Sequence, residues 1–112
     1  MSNYLFLFRG GHSQAQQTPE EMQVEMQKWI TWMGKLKEKG QLVDGLPLAK
    51  DGKVVAKAGD VITNGPFAEG SEIVGGYLIV TADSLEEAVE LSKGCPNYAY
   101  GGTTEVREIL SL

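Results

Sequence analysis

Two glutamates, Glu69 and Glu72, stand three residues apart in a glycine-rich segment, and His12 is the single histidine of the chain. Carboxylate and imidazole groups are the side chains that most often transfer protons in enzymes. We therefore predict His12, Glu69 and Glu72 as candidates for acid–base catalysis. The alternatives are that both glutamates are solvated surface residues and that His12 is an exposed loop residue.

Two arginines are candidates for holding an anion. Arg9 ends the first apolar segment of the chain, and Arg107 lies in the last one. The planar guanidinium fork suits carboxylate and phosphate groups. If these segments are neighbouring strands, the two arginines approach one cleft. Alternatively, Arg107 pairs with the glutamates on either side of it, Glu105 and Glu108.

The segment before the glutamates, Asn64-Gly65-Pro66-Phe67, has residue types that suit a ligand site. Glycine lets the backbone approach a ligand closely, and an aromatic ring after a rigid proline can form a pocket wall. With Tyr77 of the next strand, these residues are predicted to bind the ligand. The alternative is that the segment makes a turn and that Phe67 fills the core.

Helix signals occur at two places. Thr18-Pro19-Glu20-Glu21 predicts an N-cap, a proline in the first turn and a capping box, and Gly40 predicts the end of this helix. A second helix is predicted to begin at Ser84, with Glu87 completing its capping box, and to end at Gly94. The first helix has an apolar stripe that is predicted to face a core rather than to bind a cofactor: Met22, Met26, Trp29, Met33 and Leu36.

Apolar segments predict the strands, which run over Tyr4–Phe8, Leu42–Leu48, Gly75–Thr81 and Thr103–Leu110. Asp51-Gly52 is predicted to form a hairpin turn between Leu42–Leu48 and Val54–Val55, and the short strand Val61–Thr63 is predicted to stop at Asn64. Without this inserted hairpin the order is βαββαβ. The sequence therefore predicts an α+β, ferredoxin-like antiparallel sheet with two helices on one face.

Two of the predicted strands are apolar on both faces. Tyr4–Phe8 and Tyr77–Val80 lack the alternation that a sheet with one wet face requires. A contiguous apolar sheet face marks an interaction surface, and a second copy of the chain is the expected cover. The alternative is a monomer whose inserted hairpin, or whose 66–72 segment, covers that face.

Composition excludes several classes of protein. The net charge of −5 disfavours nucleic-acid binding, and no apolar stretch is long enough to cross a membrane. The lone Cys95 and the lack of a signal-peptide pattern predict a cytoplasmic protein of one domain, with no partner among nucleic acids or membranes. No metal-ligand spacing or phosphate-loop motif is present, so neither a metal nor another cofactor is predicted.

The run from Asn64 to Glu69, followed by Glu72 and Gly75-Gly76-Tyr77, resembles the YCII-related (DGPF) family, which has Asp-Gly-Pro-Phe, an acid and a Gly-Gly-Tyr strand. The resemblance extends along the chain. It implies one domain over residues 1–112 and a dimeric α/β barrel. Asn64 replaces the usual aspartate of the family, and an amide cannot act as a general base.

Two functions follow from the pattern and the resemblance. The first is a homodimeric small-molecule-binding protein or enzyme, with a pocket between sheet and helices walled by Phe67, Tyr77, Trp29 or Trp32. The second, implied by the association of the family with extracytoplasmic-function sigma factors, is a regulatory interaction module. A ligand-sized cavity favours the first function, and a filled interior with a recovered protein partner favours the second.

Overall fold

The computed structural model describes residues 1–10, 18–49, 51–65 and 73–112. The elements are β1 (Ser2–Arg9), α1 (Pro19–Glu38), β2 (Leu42–Pro47), β3 (Gly52–Ala56), β4 (Val61–Gly65), β5 (Val74–Ala82), α2 (Leu85–Ser92) and β6 (Thr103–Glu108). Within these residues β2, β5, β1 and β6 form a four-stranded antiparallel sheet in that order, whereas β3 and β4 form a separate two-stranded hairpin. This order agrees with the predicted ferredoxin-like βαββαβ fold.

One face of the four-stranded sheet carries the core. Tyr4, Phe6 and Phe8 alternate along β1 and are buried, as are the matching residues of β5. The helices supply the other side of this core through Trp32, Leu36 and Ala88. We call this side of the sheet the helix face.

Helix α1 begins and ends where the sequence predicts. The Thr18 hydroxyl accepts a hydrogen bond from the Glu21 N–H at 3.1 Å, and Pro19 occupies the first turn. Gly40 follows the C-cap with φ +70°, a left-handed conformation that favours glycine.

The predicted apolar stripe of α1 is wrong at Met26, which is 61% exposed. Trp29, Met33 and Leu36 do pack on the core, and Trp32, which the predicted stripe omits, is buried there as well. Helix α1 therefore contacts the core through its second half, and exposed apolar residues occur along the rest of it, including Val24.

The predicted hairpin at Asp51-Gly52 is wrong. Strand β2 pairs with β5 in the main sheet, and β3 pairs with β4 across a turn at Lys57–Asp60. Lys57 and Ala58 adopt positive φ in this turn, which sequence patterns do not reveal. Strand β4 also continues through Asn64 and Gly65, where the sequence predicted its end.

The second face of the four-stranded sheet carries no helix in the described part of the chain. Residues paired across antiparallel strands share a face, so the register assigns this surface directly. We call it the open face. Its central members are Leu5, Leu7, Arg9, Asp44, Leu46, Tyr77, Ile79, Glu105 and Arg107, and Asn3, Thr81 and Thr103 lie towards its ends.

Close packing of β2 on β5 predicts a cost for any side chain at Gly45. A Cβ atom there would lie 2.7 Å from the Tyr77 carbonyl oxygen and 2.9 Å from the Leu78 Cα, both backbone atoms. We expect Gly45→Ala to lower the free energy of unfolding by about 1–3 kcal/mol in urea denaturation. Gly34 of α1 has open space around its Cβ position, so Gly34→Ala should instead raise stability by about 0.5–1 kcal/mol. Equal effects of the two substitutions would contradict this packing argument.

Candidate functional site

Arg9 lies at the end of β1 on the open face. It follows Leu7 by two residues, and the period of two along a strand places both side chains on the same face. Its Nη1 forms an ion pair and hydrogen bond with Glu105 Oε1 across to β6. Both side chains are partly exposed, at 31% and 41%, so solvent or a bound molecule can reach this pair.

Asn97 fixes the backbone beneath this ion pair. It is 5% exposed, and its Nδ2 donates hydrogen bonds of 3.1 Å to the carbonyl oxygens of Arg9 and Thr103. It thereby ties the end of β1 to the start of β6. Asn97 is not among the residues predicted for the site. It follows Pro96, and Gly101 and Gly102 come a few residues later; these residues signal a turn, but nothing local shows which carbonyl groups Asn97 reaches.

The second predicted arginine reaches the same carboxylate from the other side. Arg107 Nε lies 3.9 Å from Glu105 Oε2, and its side chain is 70% exposed. The two arginines predicted to share an anion thus share the carboxylate of Glu105. Tyr77 lies in the same cross-strand row as Leu7 and Glu105, two strands away from the glutamate, so it belongs to this surface too.

Asn64 and Gly65, two further predicted site residues, lie on the hairpin. Asn64 is exposed, and its Oδ1 accepts a hydrogen bond of 2.5 Å from Lys53 Nζ on the paired strand. Gly65 packs against Val54, where an added Cβ would contact the valine side chain. No described contact brings Asn64 to the Arg9–Glu105 pair.

The remaining predicted site residues, His12, Pro66, Phe67, Glu69 and Glu72, lie outside the described residues. The chain enters the first of their two segments directly after Gly10, which is next to Arg9. It returns from the second segment at Ile73, next to Val74, which pairs with Arg9 in the sheet. Both segments are therefore joined to the sheet within two residues of Arg9 or its cross-strand partner.

Of the residues named for the pocket between sheet and helices, Phe67 lies outside the described residues, and the described ones do not share a face of the sheet. Trp29 and Trp32 pack in the aromatic core with Phe8 at ring-centroid distances of 5.0 and 6.1 Å, on the helix face. Tyr77 lies on the opposite face, so it cannot line a cavity with them. The described part of the chain instead has an open groove of about 880 Å³ outside α1, bounded by Trp32, Gly94 and the polar residues of that helix.

Cys95 is buried beside Asn97, and its Sγ accepts a hydrogen bond of 3.4 Å from the Asn97 N–H. Burial raises the pKa of its thiol to about 11, so the thiol stays protonated near neutral pH and is a poor nucleophile. Within the described ranges, no three His, Cys, Asp or Glu side chains lie close enough together to hold a metal ion. Neither described helix has the length and apolarity needed to span a membrane.

An antiparallel four-stranded sheet with two helices on one face places the chain in the α+β class of folds. The model of the YCII-related domain matches residues 4–112, and the chain belongs to that family. Among solved structures it is similar to 5-chloro-2-hydroxyhydroquinone dehydrochlorinase (TftG) from Burkholderia phenoliruptrix AC1100, in complex with 2,5-dihydroxybenzoquinone. The identity is 18%, with 98% of this chain and 95% of that chain covered and a TM-score of 0.50, which supports the fold. No curated protein matches the chain.

Proposed function

We propose that this protein is a homodimer that binds a small, oxygenated organic molecule where β1 ends on the open face. The observation that carries the proposal is the Arg9–Glu105 pair on the same sheet face as Tyr77, with the apolar Leu7 between Tyr77 and Glu105. Arginine offers fixed N–H donors, glutamate offers acceptors, and the tyrosine hydroxyl offers both. Such a surface matches a flat compound that carries hydroxyl, carbonyl or carboxylate groups.

The apolar side chains around this pair support the homodimer. Leu5, Leu7, Tyr77 and Ile79 are partly exposed, and Leu46 is 61% exposed. A contiguous apolar surface of this kind is typical of an interface, and a second copy would exclude water from the charged pair. The family resemblance implies a dimeric α/β barrel, and in such a barrel a second copy of the chain could cover this apolar surface.

The ligand class draws on the similar structure. TftG is named a dehydrochlorinase of a chlorinated hydroxyhydroquinone and was solved with a dihydroxybenzoquinone. Because the identity is only 18%, TftG guides the size and polarity of the first compounds to be tested, and we do not transfer its reaction to this chain. His12, Glu69 and Glu72 stay the proposed acid–base residues, because their segments join the sheet beside Arg9 and Val74.

The test is a thermal-shift screen with hydroxylated quinones, benzenediols and their carboxylates. A ligand at 100 times its Kd stabilises the folded protein by about 2.7 kcal/mol. For a compound that binds, we expect Arg9→Ala to weaken affinity at least about tenfold, because a charge-assisted hydrogen bond contributes about 1.5–3 kcal/mol. Arg9→Lys keeps the charge but not the planar fork and should give partial recovery.

Lys37→Ala is the matched control, since Lys37 is an exposed cation at the end of α1. His12→Ala and Glu69→Gln extend the test to the proposed acid–base residues. If Arg9→Ala and Lys37→Ala bind a hit equally well, the site is not at the Arg9–Glu105 pair. If His12→Ala and Glu69→Gln leave the ligand-induced shift unchanged, these two residues are not part of it.

A further inference from the structure

Three charged residues lie side by side where β6 meets β1 on the open face. Glu105 and Arg107 are two residues apart on β6 and therefore share a face, and Arg9 ends the neighbouring strand. Each oxygen of the glutamate faces a different arginine. Oε1 pairs with Arg9 Nη1, whereas Oε2 lies 3.9 Å from Arg107 Nε. Two cations thus share one carboxylate, and the cluster keeps one positive charge that this carboxylate does not compensate.

The two arginines of this cluster are held differently. The Arg9 side chain is 31% exposed, and Asn97 Nδ2 binds the carbonyl oxygen of the same residue. The Arg107 side chain is 70% exposed, so its long stem has room to change conformation. An N–H···O hydrogen bond is about 2.9 Å long, so a movement of about 1 Å would join Arg107 Nε to Glu105 Oε2. Arg9 is therefore the fixed partner of the glutamate, and Arg107 is the adjustable one.

We infer that the site selects an anionic ligand and that Glu105 passes from Arg9 to Arg107 when this ligand binds. This inference rests on the binding site proposed above. Without ligand, the glutamate occupies the Arg9 guanidinium and competes with any incoming anion. When Arg107 takes up the glutamate through Oε2, the Arg9 fork can face a ligand carboxylate and no charged group loses its partner. Arg107 is thus a positioning residue, which acts on the ligand through Glu105.

The charges of the cluster explain why one anionic group fits best. A neutral hydroxyl group can bind to the existing pair, since it can donate to Glu105 or accept from Arg9. A carboxylate placed beside Glu105 is repelled unless each of the two carboxylates has its own cation, which Arg9 and Arg107 supply. A second anionic group on the ligand would have no cation left in the cluster. The expected class is therefore a monoanion, such as a hydroxylated benzoate.

Asp44, the other charged member of the open face in the described part of the chain, adds little to this balance. It lies on β2, at the opposite edge of the sheet from Arg107. Neighbouring strands are about 4.8 Å apart, so these two residues are roughly 14 Å apart at the backbone. That separation exceeds the screening length of about 10 Å at ordinary ionic strength. The choice of ligand charge is therefore made at the three clustered residues.

The glutamate provides the first test, with 2,5-dihydroxybenzoate and its neutral amide as probes in calorimetric titrations. Glu105→Gln removes the competing charge, so we expect it to raise affinity for the benzoate at least about fivefold and to give no gain for the amide. Glu108→Gln is the matched control. It removes the same charge from the same strand, but Glu108 pairs with the buried Tyr4 and therefore lies on the other side of the sheet. It should change neither affinity more than about twofold.

A double-mutant cycle tests the role of Arg107. Arg107→Ala should weaken binding of the benzoate at least about threefold when Glu105 is present, because the glutamate then stays on Arg9. In the Glu105→Gln background the same change should cost less than about twofold, since no carboxylate has to be moved. The Arg107 Nε–H signal in NMR spectra, assigned by its loss in Arg107→Ala, should exchange more slowly with water when the benzoate is bound.

The outcomes separate this inference from the proposed binding site. If Glu105→Gln weakens binding of the benzoate, or if Arg107→Ala costs the same in both backgrounds, the exchange is wrong. If the benzoate binds no better than the amide, or does not bind, the selection of an anion is wrong. In each of these cases the site stands as long as some compound of the panel depends on Arg9. If no compound does, the site and the inference both fail.

Discussion

Phe6→Ala should lower the free energy of unfolding by about 3–5 kcal/mol, a large share of the roughly 5–15 kcal/mol that stabilises a domain. Phe6 is 0% exposed and lies on a central strand. Its ring stacks on Trp32 at 6.4 Å with an interplanar angle of 11° and meets Phe8 edge-on at 6.4 Å. Truncation removes the buried ring and leaves a cavity. The neighbouring indole of Trp32 cannot fill this cavity, because its position is fixed by α1.

Urea denaturation measures this effect, with all variants compared at one fixed protein concentration so that any association affects them equally. Val24→Ala is the control, because Val24 is 55% exposed on α1 and its truncation should change stability by less than about 0.5 kcal/mol. A loss below about 1 kcal/mol for Phe6→Ala would mean that the aromatic core is not packed as described.

Gly102→Ala should lower the free energy of unfolding by about 2–4 kcal/mol. An added Cβ would overlap the side-chain amide of Asn97, which is buried and cannot move into solvent without losing its bonds. Its displacement removes the hydrogen bonds from Asn97 to the carbonyl groups of Arg9 and Thr103, which contribute about 0.5–1.5 kcal/mol each, and the overlap itself adds to this loss. The same displacement loosens the backbone under the Arg9–Glu105 pair, so ligand affinity should fall along with stability.

A double-mutant cycle separates this mechanism from a general sensitivity of the turn. In an Asn97→Ala background the space next to Gly102 is vacant, so adding Gly102→Ala should cost less than about 1 kcal/mol more. Gly75→Ala on β5 provides a control, because its Cβ position has open space. Additive losses for Asn97→Ala and Gly102→Ala would contradict the proposed contact between them.

Local signals and alternation predicted much of the fold. Thr18 and Ser84 cap their helices by accepting from the Glu21 and Glu87 N–H groups, as the capping-box pattern requires. The two strands that are apolar on both faces, β1 and β5, are the central pair of the sheet. These features are encoded by neighbouring residues, so a single sequence reveals them.

Long-range pairing was harder to predict. Asp51-Gly52 is a strong hairpin signal, but β2 gains a central, apolar strand as its partner by pairing with β5, and this outweighs the local turn preference. Helix periodicity likewise could not show that Met26 lies beyond the edge of the core. That depends on how far the sheet extends under α1. In the site, the sequence indicated that Arg9 and Arg107 would lie near each other, but the glutamate between them depends on the β1–β6 register.

The central position of β1 has a consequence for how the chain folds. Tyr4 pairs with Val80 on one side and with Glu108 on the other. Both edges of β1 can therefore form their hydrogen bonds only after the last third of the chain has been made. Contacts this distant slow folding, because long loops must close before any pairing energy is gained. During synthesis, β1 thus leaves the ribosome well before either of its partner strands. Until they follow, its aromatic residues are uncovered and prone to aggregation.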